Sequence, residues 1–310
     1  MEGFPLPFRR VLVTGGAGFI GAHLCRALLR QGVAVTVLDD LSRGLRQNVP
    51  EEARFILASV LDPEAVVLAL EGAEAVVHLA ARVTIRGSVG AELEDSRVNL
   101  LGSVNLWQAL PRSDVRHVVL ASSMAVYGPP LGPRLLCEED PCRPLSAYGV
   151  NKLAAERHGA LVAQRLGLTF QALRLFNTYG PGMRHSPYVG VLQIFARAIR
   201  EHQEVVLYDA GRPQRDFIHV EDVVAGFMAA LARPGVQGAV NIGTGCGTQV
   251  AEALDLLESI LGWSPPRKLL PARPEELPRA VADITRARRE LAFVPRFSLA
   301  NGLASCINDL

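Results

Sequence analysis

The sequence has little of several things that would assign it to a simple class. Its 310 residues include only five cysteines, an odd number with no Cys-x-x-Cys spacing. Neither a disulfide framework nor a cysteine-paired metal site is written there, and reduced thiols are expected. Charge imbalance is missing too, since 32 basic residues face 31 acidic ones. That balance removes the electrostatic case for nucleic acid or a membrane surface, so an anionic partner has to be met by local arginines. No apolar run approaches the ~20 residues that cross a bilayer. The stretch from Met1 to Arg10 has no signal-peptide core, and the expectation is a cytoplasmic protein. No internal repeat or low-complexity linker interrupts the chain. What is there is a globular composition, 49% hydrophobic and 20% charged, long enough for one large α/β domain or for a large and a small one.

The most informative stretch is residues 9–40. Arg10-Val11-Leu12-Val13-Thr14 reads as a short apolar strand and runs directly into Gly15-Gly16-Ala17-Gly18-Phe19-Ile20-Gly21. A helix carrying Cys25 follows, then a second strand, Val33-Ala34-Val35-Thr36-Val37-Leu38, that ends on Asp39. Strand, glycines at 15, 18 and 21, helix, strand and acid in this order point to phosphate binding. Gly15 permits a sharp turn, Gly18 a close approach to a pyrophosphate, and Gly21 tight helix packing, while the N–H groups opening the helix face the anion. Asp39, 18 positions after Gly21, can accept both hydroxyls of an adenosine ribose. A carboxylate there repels a 2′-phosphate, which favours NAD over NADP; Arg43 in the next loop is the counter-signal.

Further strand and helix segments alternate. Strands are expected at 54–58, 74–81 and 115–121, and helices at 62–70, 92–110 and 146–166. That alternation implies right-handed crossovers and a parallel sheet covered on both faces. The strand at 115–121 ends on Ser122 and Ser123, where ligands of an open parallel sheet lie. On the last helix Tyr148 and Lys152 are four apart and share a face. An ammonium beside a phenol is expected to lower the phenol's pKa and make it a usable base.

With these residues in view, the chain resembles the extended short-chain dehydrogenase/reductases, specifically the NAD-dependent nucleotide-sugar epimerase/dehydratase family. The matching segments include the glycine run, His78-Leu79-Ala80-Ala81, Ser122-Ser123-Met124-Ala125-Val126-Tyr127-Gly128 and Tyr148-Gly149-Val150-Asn151-Lys152. Arg174-Leu175-Phe176-Asn177, Arg215-Asp216-Phe217-Ile218-His219 and Asn241-Ile242-Gly243-Thr244-Gly245 continue the series over nearly the whole chain. The resemblance implies an α/β fold: a Rossmann-type doubly wound parallel sheet holding NAD over residues 1–176, with segments near 215–245 returning to it. A smaller C-terminal α/β region, 177–310, would hold the nucleotide sugar. It further implies Ser123, Tyr148 and Lys152 as catalytic residues, Tyr148 as the base on the sugar hydroxyl. Cofactor contacts are implied at Gly15, Gly18, Phe19, Ile20, Gly21, Asp39, Val60, Leu79, Ala80, Ala81 and Asn99, besides Tyr148 and Lys152. The family's acid after the third strand is replaced here by Ser59, which can still donate or accept to adenine. Substrate contacts are implied at Ser122, Ser123, Asn177, Arg215 and Arg273, and a homodimer through the helices near 92–110 and 146–166.

The two residues after Ser123 bear on the reaction. Dehydratases of this family place Asp-Glu there, whereas this chain has Met124 and Ala125, neither able to transfer a proton. The form is similar to that of the UDP-hexose 4-epimerases. Arg86 matches an arginine of epimerases acting on UDP-glucuronate, and Arg184 lies near the expected sugar end; a bidentate arginine would offset the desolvation of a uronate carboxylate. Ala280 matches the position that gates the C2 substituent. The resulting order of UDP-sugar substrates is UDP-glucuronate, UDP-glucose, UDP-N-acetylglucosamine. A reductase, dehydratase or decarboxylase of the same family, and a non-catalytic dinucleotide sensor, stay open as alternatives. No metal site is expected.

Overall fold

The computed structural model describes residues 5–83, 92–130, 132, 134–183, 190–273 and 277–309. The chain begins with β1 (Arg10–Thr14), α1 (Phe19–Arg30), β2 (Ala34–Asp39), β3 (Arg54–Leu57), α2 (Pro63–Leu70) and β4 (Ala75–His78). Next come α3 (Glu92–Ser96), α4 (Gly102–Ala109), β5 (His117–Ser123), α5 (Ala147–Leu166) and β6 (Thr169–Leu175). An excursion follows through β7 (Asn177–Tyr179), α6 (Val191–Arg200), β8 (Val205–Tyr208), β9 (Gln214–Arg215) and β10 (Phe217–His219). The chain then returns with α7 (Val220–Ala232) and β11 (Gly238–Ile242). It closes with β12 (Thr248–Gln249), α8 (Val250–Leu261), β13 (Arg267–Leu270), β14 (Arg279–Ala280), α9 (Thr285–Leu291) and α10 (Leu299–Cys306).

Seven strands form one parallel sheet in the order β11-β6-β5-β4-β1-β2-β3. Side chains alternate between its faces, and both faces are dry. Val11, Val13 and Val77 pack with α1 and α7, whereas Leu12, Val76 and Val118 pack with α2, α4 and α5. The excursion and the C-terminal helices build a separate core from Tyr179, Phe195, Leu207, Leu254 and Leu303. The sheet order reverses between β1 and β4, so the loops after these two strands diverge and leave a crevice at their carboxyl ends.

Local sequence explains where the elements begin and end. Asp62 accepts from the amides of Glu64 and Ala65 ahead of Pro63, which starts α2. Ser146 caps α5 by accepting from Gly149 N, and Gly167 ends it at φ +69°. The single helix expected over 92–110 is broken into α3, a π-helical turn at Arg97–Leu101, and α4. The widened turn presents Asn99, whose Oδ1 accepts from Arg82 N at 2.7 Å and whose Nδ2 donates to Arg82 O at 2.8 Å. Periodicity does not reveal such a turn, because the partner backbone belongs to the strap after β4, 17 positions earlier in the chain. All five cysteines are free, and no helix among the described residues is long and apolar enough to cross a membrane.

Two histidines are sealed in the sheet as neutral imidazoles. Burial pushes His78 down to about 3 and His117 down to about 4, from an ordinary 6.5. Above pH 6.5 neither folded nor unfolded chain holds these protons; below it the unfolded chain takes up protons that the fold refuses. Stability therefore falls with pH through the window from 6.5 toward 4, by about 1.4 kcal/mol per pH unit for each histidine. Calorimetric unfolding near pH 5 should show uptake by these two histidines of just under one proton each; none taken up would mean that both imidazoles are charged in the fold.

Candidate active site

The crevice opens into a cleft of about 1570 Å³ that runs from the end of β2, past the ends of β1 and β5, to the excursion. At one end the glycine turn forms a cradle with no room for side chains. Gly15 has φ +72°, and a Cβ on it would stand 2.7 Å from Ala80 N; a Cβ on Gly21 would stand 2.3 Å from Gly15 O. Gly18 is the N-cap of α1 and makes no side-chain cap, so the opening N–H groups of that helix are left for an anion beside Gly18, Phe19 and Ile20 on the cleft wall. Asp39 closes this end. Its Oδ2 accepts from Ala17 N at 3.0 Å and its Oδ1 from Leu41 N at 2.8 Å. Each oxygen keeps a lone pair for a ribose hydroxyl, and burial raises the carboxyl's pKa against those two bonds.

Val60, Leu79, Ala80 and Ala81 also line the cleft. Ser59 does not join them. Its hydroxyl accepts from Leu61 N at 3.3 Å in the turn before α2, and the wall there is made by Ala58 and Val60. Asn99, expected at the cofactor, is instead committed to both backbone groups of Arg82, so it shapes the strap after β4 rather than presenting its amide. Beneath that strap is a buried chain of hydrogen bonds that sequence reading missed. Ala80 N donates to Thr14 Oγ1 at 3.2 Å, and Thr14 Oγ1 lies 2.7 Å from His78 Nδ1. On the far side His78 Nε2 lies 3.0 Å from Ser103 Oγ, which donates to Asn99 O at 2.7 Å. With Ser103 donating onward, Nε2 carries the imidazole proton and Nδ1 accepts from Thr14.

At the centre stand Ser123, Tyr148 and Lys152, all buried. Ser123 ends β5 and accepts from Ala125 N at 3.2 Å. Lys152 Nζ donates to Ala121 O at 2.9 Å and lies 5.8 Å from the centroid of the Tyr148 ring. The expected lowering of the Tyr148 pKa is not what this arrangement produces. Burial pushes the phenol up to about 12, with a hydrogen bond from Ser123 pulling the other way. Lys152, bonded to a carbonyl, is pushed down to about 8 by burial, with Glu156 opposing that fall. Desolvation outweighs the pairing here, so the protein alone holds a neutral phenol beside a titratable amine. Met124 and Ala125 follow Ser123 in a 3₁₀ turn on the cleft wall.

The excursion supplies the far end of the cleft. Asn177 lines it, and the Asn177 Oδ1 is buried without a partner among the described residues. Arg215 is held by donating from Nη1 to Gln214 O and Leu277 O, each at 2.8 Å, and Arg273 stacks with its Cζ 3.6 Å from the Tyr208 ring centroid. Both arginines reach the cleft wall. The Ser122 hydroxyl donates to Glu156, and the residue also lines the cleft. One expectation is corrected. Ala280 is fully buried in β14, paired with Arg215, so it cannot gate a substituent. Arg86 and Arg184 lie outside the described residues. The signal for Glu156 was in the sequence, a charged residue one turn beyond Lys152 on the same helix face; its partner Arg174 needed the fold.

A glycine cradle at a helix N-terminus, an acid at the end of β2 and a Ser–Tyr–Lys centre between two regions define a nicotinamide-dinucleotide protein of the short-chain dehydrogenase/reductase class. Comparison with known proteins narrows the class. The NAD dependent epimerase/dehydratase family matches residues 11–243. The chain is 34% identical over 306 residues to the UDP-glucose 4-epimerase of Mycolicibacterium smegmatis, covering 96% of this chain and 97% of that one. Among solved structures, the Thermus thermophilus UDP-glucose 4-epimerase complex with NAD superposes with a TM-score of 0.90 at 34% identity, over 97% of this chain and 98% of that one. MoeE5 in complex with UDP-glucuronic acid and NAD gives 0.86 at 36% identity, over 96% and 98%. The chain belongs to the NAD dependent epimerase/dehydratase family, and its cofactor is NAD.

Proposed function

We propose that this protein interconverts the C4 epimers of a UDP-hexose with no net change of redox state. The observation that carries this reading is the end of β5, where Ser123 joins Tyr148 and Lys152 and is followed by two side chains, Met124 and Ala125, that cannot carry a proton. Elimination of water needs an acid/base pair at those positions, and transient oxidation does not. Tyr148 takes the proton of the C4 hydroxyl, Ser123 shares it, and the same phenol returns it once the 4-keto sugar has turned over in the cleft. NAD, when bound, supplies the hydride acceptor and donor together with a positive ring that favours the phenolate. Asp39 and the opening amides of α1 hold its ribose and pyrophosphate. Arg215 and Arg273 clamp the diphosphate of the sugar nucleotide, work suited to pre-oriented guanidinium forks. Protein purified without added NAD and incubated with a panel of UDP-sugars should yield the C4 epimer, identified by NMR. Tyr148→Phe should keep NAD and fold while losing at least about a hundredfold in turnover; near-normal rates would remove the phenol from the reaction.

Among UDP-hexoses we place UDP-glucuronate first, because Arg86 and Arg184 offer guanidinium groups for a C6 carboxylate; MoeE5 was solved with UDP-glucuronic acid and with UDP-glucose alike. The names of other relatives favour UDP-glucose as the second reading. Arg86→Ala should raise KM for UDP-glucuronate by tenfold or more over its effect on UDP-glucose, the worth of one charged hydrogen bond, about 1.5–3 kcal/mol. Equal effects on the two sugars would remove the carboxylate contact.

The same reading includes a homodimer. Leu93 and Leu101 on the α3–α4 segment and Val150 and Leu161 on α5 are 75%, 48%, 51% and 57% exposed, on helices that pack side by side. That is an apolar face of the kind a second copy covers. Sedimentation velocity should give a dimer that Leu161→Glu dissociates; a monomeric wild type would sink the proposal.

A further inference from the structure

Behind the Ser123–Tyr148–Lys152 centre lies a second set of buried charges that the proposed reaction does not use. Glu156 on α5 is 5% exposed and Arg174 on β6 is 4% exposed. Arg174 donates from Nε to Glu156 Oε1 at 3.1 Å and from Nη2 to Oε2 at 2.9 Å, a two-pronged pair. Ser122, next to the reactive serine, donates to the same Oε1. Arg174 Nη1 donates at 2.9 Å to the Tyr127 hydroxyl, which donates at 2.7 Å to Asn241 Oδ1. One carboxylate thus ties α5 to β5 and β6 and, through two further residues, to β11.

The position of this carboxylate has an electrostatic consequence. Residues four apart share a helix face, so Glu156 stands one turn beyond Lys152, and its charge is what opposes the lowering of that amine by burial. The groups facing Lys152 are Tyr148 and Glu156 from α5, the neutral imidazole of His78 from β4 and the Ala121 carbonyl from β5, with Arg174 on β6 behind Glu156. Glu156 is therefore the anion of this pocket. A buried Arg–Glu pair adds little net stability over apolar residues of the same volume, so packing alone gives no reason for the charge.

We infer that Glu156 is a positioning residue for the proposed epimerisation: through Ser122 it locks α5 against the end of β5, and its charge keeps Lys152 an ammonium beside Tyr148. The inference rests on the reading of Tyr148 and Lys152 as the reacting pair. It also bears on why the cation beside Tyr148 is a lysine and not an arginine. Only two of the 32 basic residues are lysine, Lys152 and Lys268. A guanidinium stays charged wherever it is placed, whereas a buried ammonium depends on a neighbour to remain so.

The scarcity of lysine makes the test direct. Holoenzyme labelled with ¹³C at lysine Cε should show two signals, with the exposed Lys268 as internal reference. In Glu156→Gln, Arg174 faces Lys152 unopposed, and the Lys152 midpoint should move to lower pH by about one unit or more. The alkaline limb of kcat should move with it while KM for the sugar nucleotide stays within about twofold. A purely structural Glu156 would lower the melting temperature and leave the Lys152 midpoint where it is, which would overturn the inference. Should Glu156→Gln not fold, the double variant Glu156→Gln/Arg174→Met leaves no unpaired charge and gives the same reading, a smaller shift in the same direction, with an unmoved midpoint again overturning it. The resonance does not depend on turnover. A protein that titrates as expected yet epimerises no UDP-sugar would sink the epimerase reading and leave the charge assignment in place.

Discussion

A buried ammonium held against a backbone carbonyl is the contact on which the site turns. Lys152 donates to Ala121 O, and that bond sets α5 at one height along β5. The carbonyl is two residues before Ser123, and the ammonium is four residues after Tyr148, so one contact brings the serine and the phenol to the same level of the cleft. Glu156, bonded to Ser122 and Arg174, makes the same alignment from the next turn of the helix. Two points on one rigid helix against one strand leave little freedom to slide or roll.

The cofactor end is constrained differently, by the absence of side-chain volume. The loop after β1 lies so close to the strap after β4 that a single methyl group at Gly15 would overlap the Ala80 backbone. That strap is held from below by the Thr14–His78–Ser103 chain and from the side by Asn99. Polar groups sealed at that depth have no water to turn to, so each must be bonded and their tautomers are dictated. The π-helical turn carrying Asn99 belongs to the same arrangement, a departure from regular helix where the backbone of Arg82 needs two partners.

How much of this was legible depended on the range of the signal. Gly15, Gly18, Gly21 and Asp39 sit in one continuous stretch whose chemistry is local, and Tyr148 and Lys152 share a helix face by spacing alone. Ser59 and Ala280 were placed by matching positions; at the first the neighbours Ala58 and Val60 face the cleft instead, and the second is sealed in β14. The bond from the Ser122 hydroxyl to Glu156 could not be read from the chain either, because its acceptor lies on a helix 34 positions away. The pKa of Tyr148 could not be read at all from the presence of an amine, since the sign of the shift is a contest between burial and pairing.

Sequence alone carried the alternation of strands and helices as far as residue 166, the phosphate-binding turn, the ribose acid and the pairing of phenol with amine. Each follows from periodicity or from backbone conformations that only certain residues adopt. Tertiary structure alone decided that Arg174 meets Glu156, that His78 is neutral, that Asn99 serves the backbone and that Arg215 and Arg273 reach one cleft with Tyr148. The residues brought together in this way lie from 17 to 125 positions apart. Their energies depend on depth from solvent, a property that no stretch of chain possesses before the sheet has closed over it.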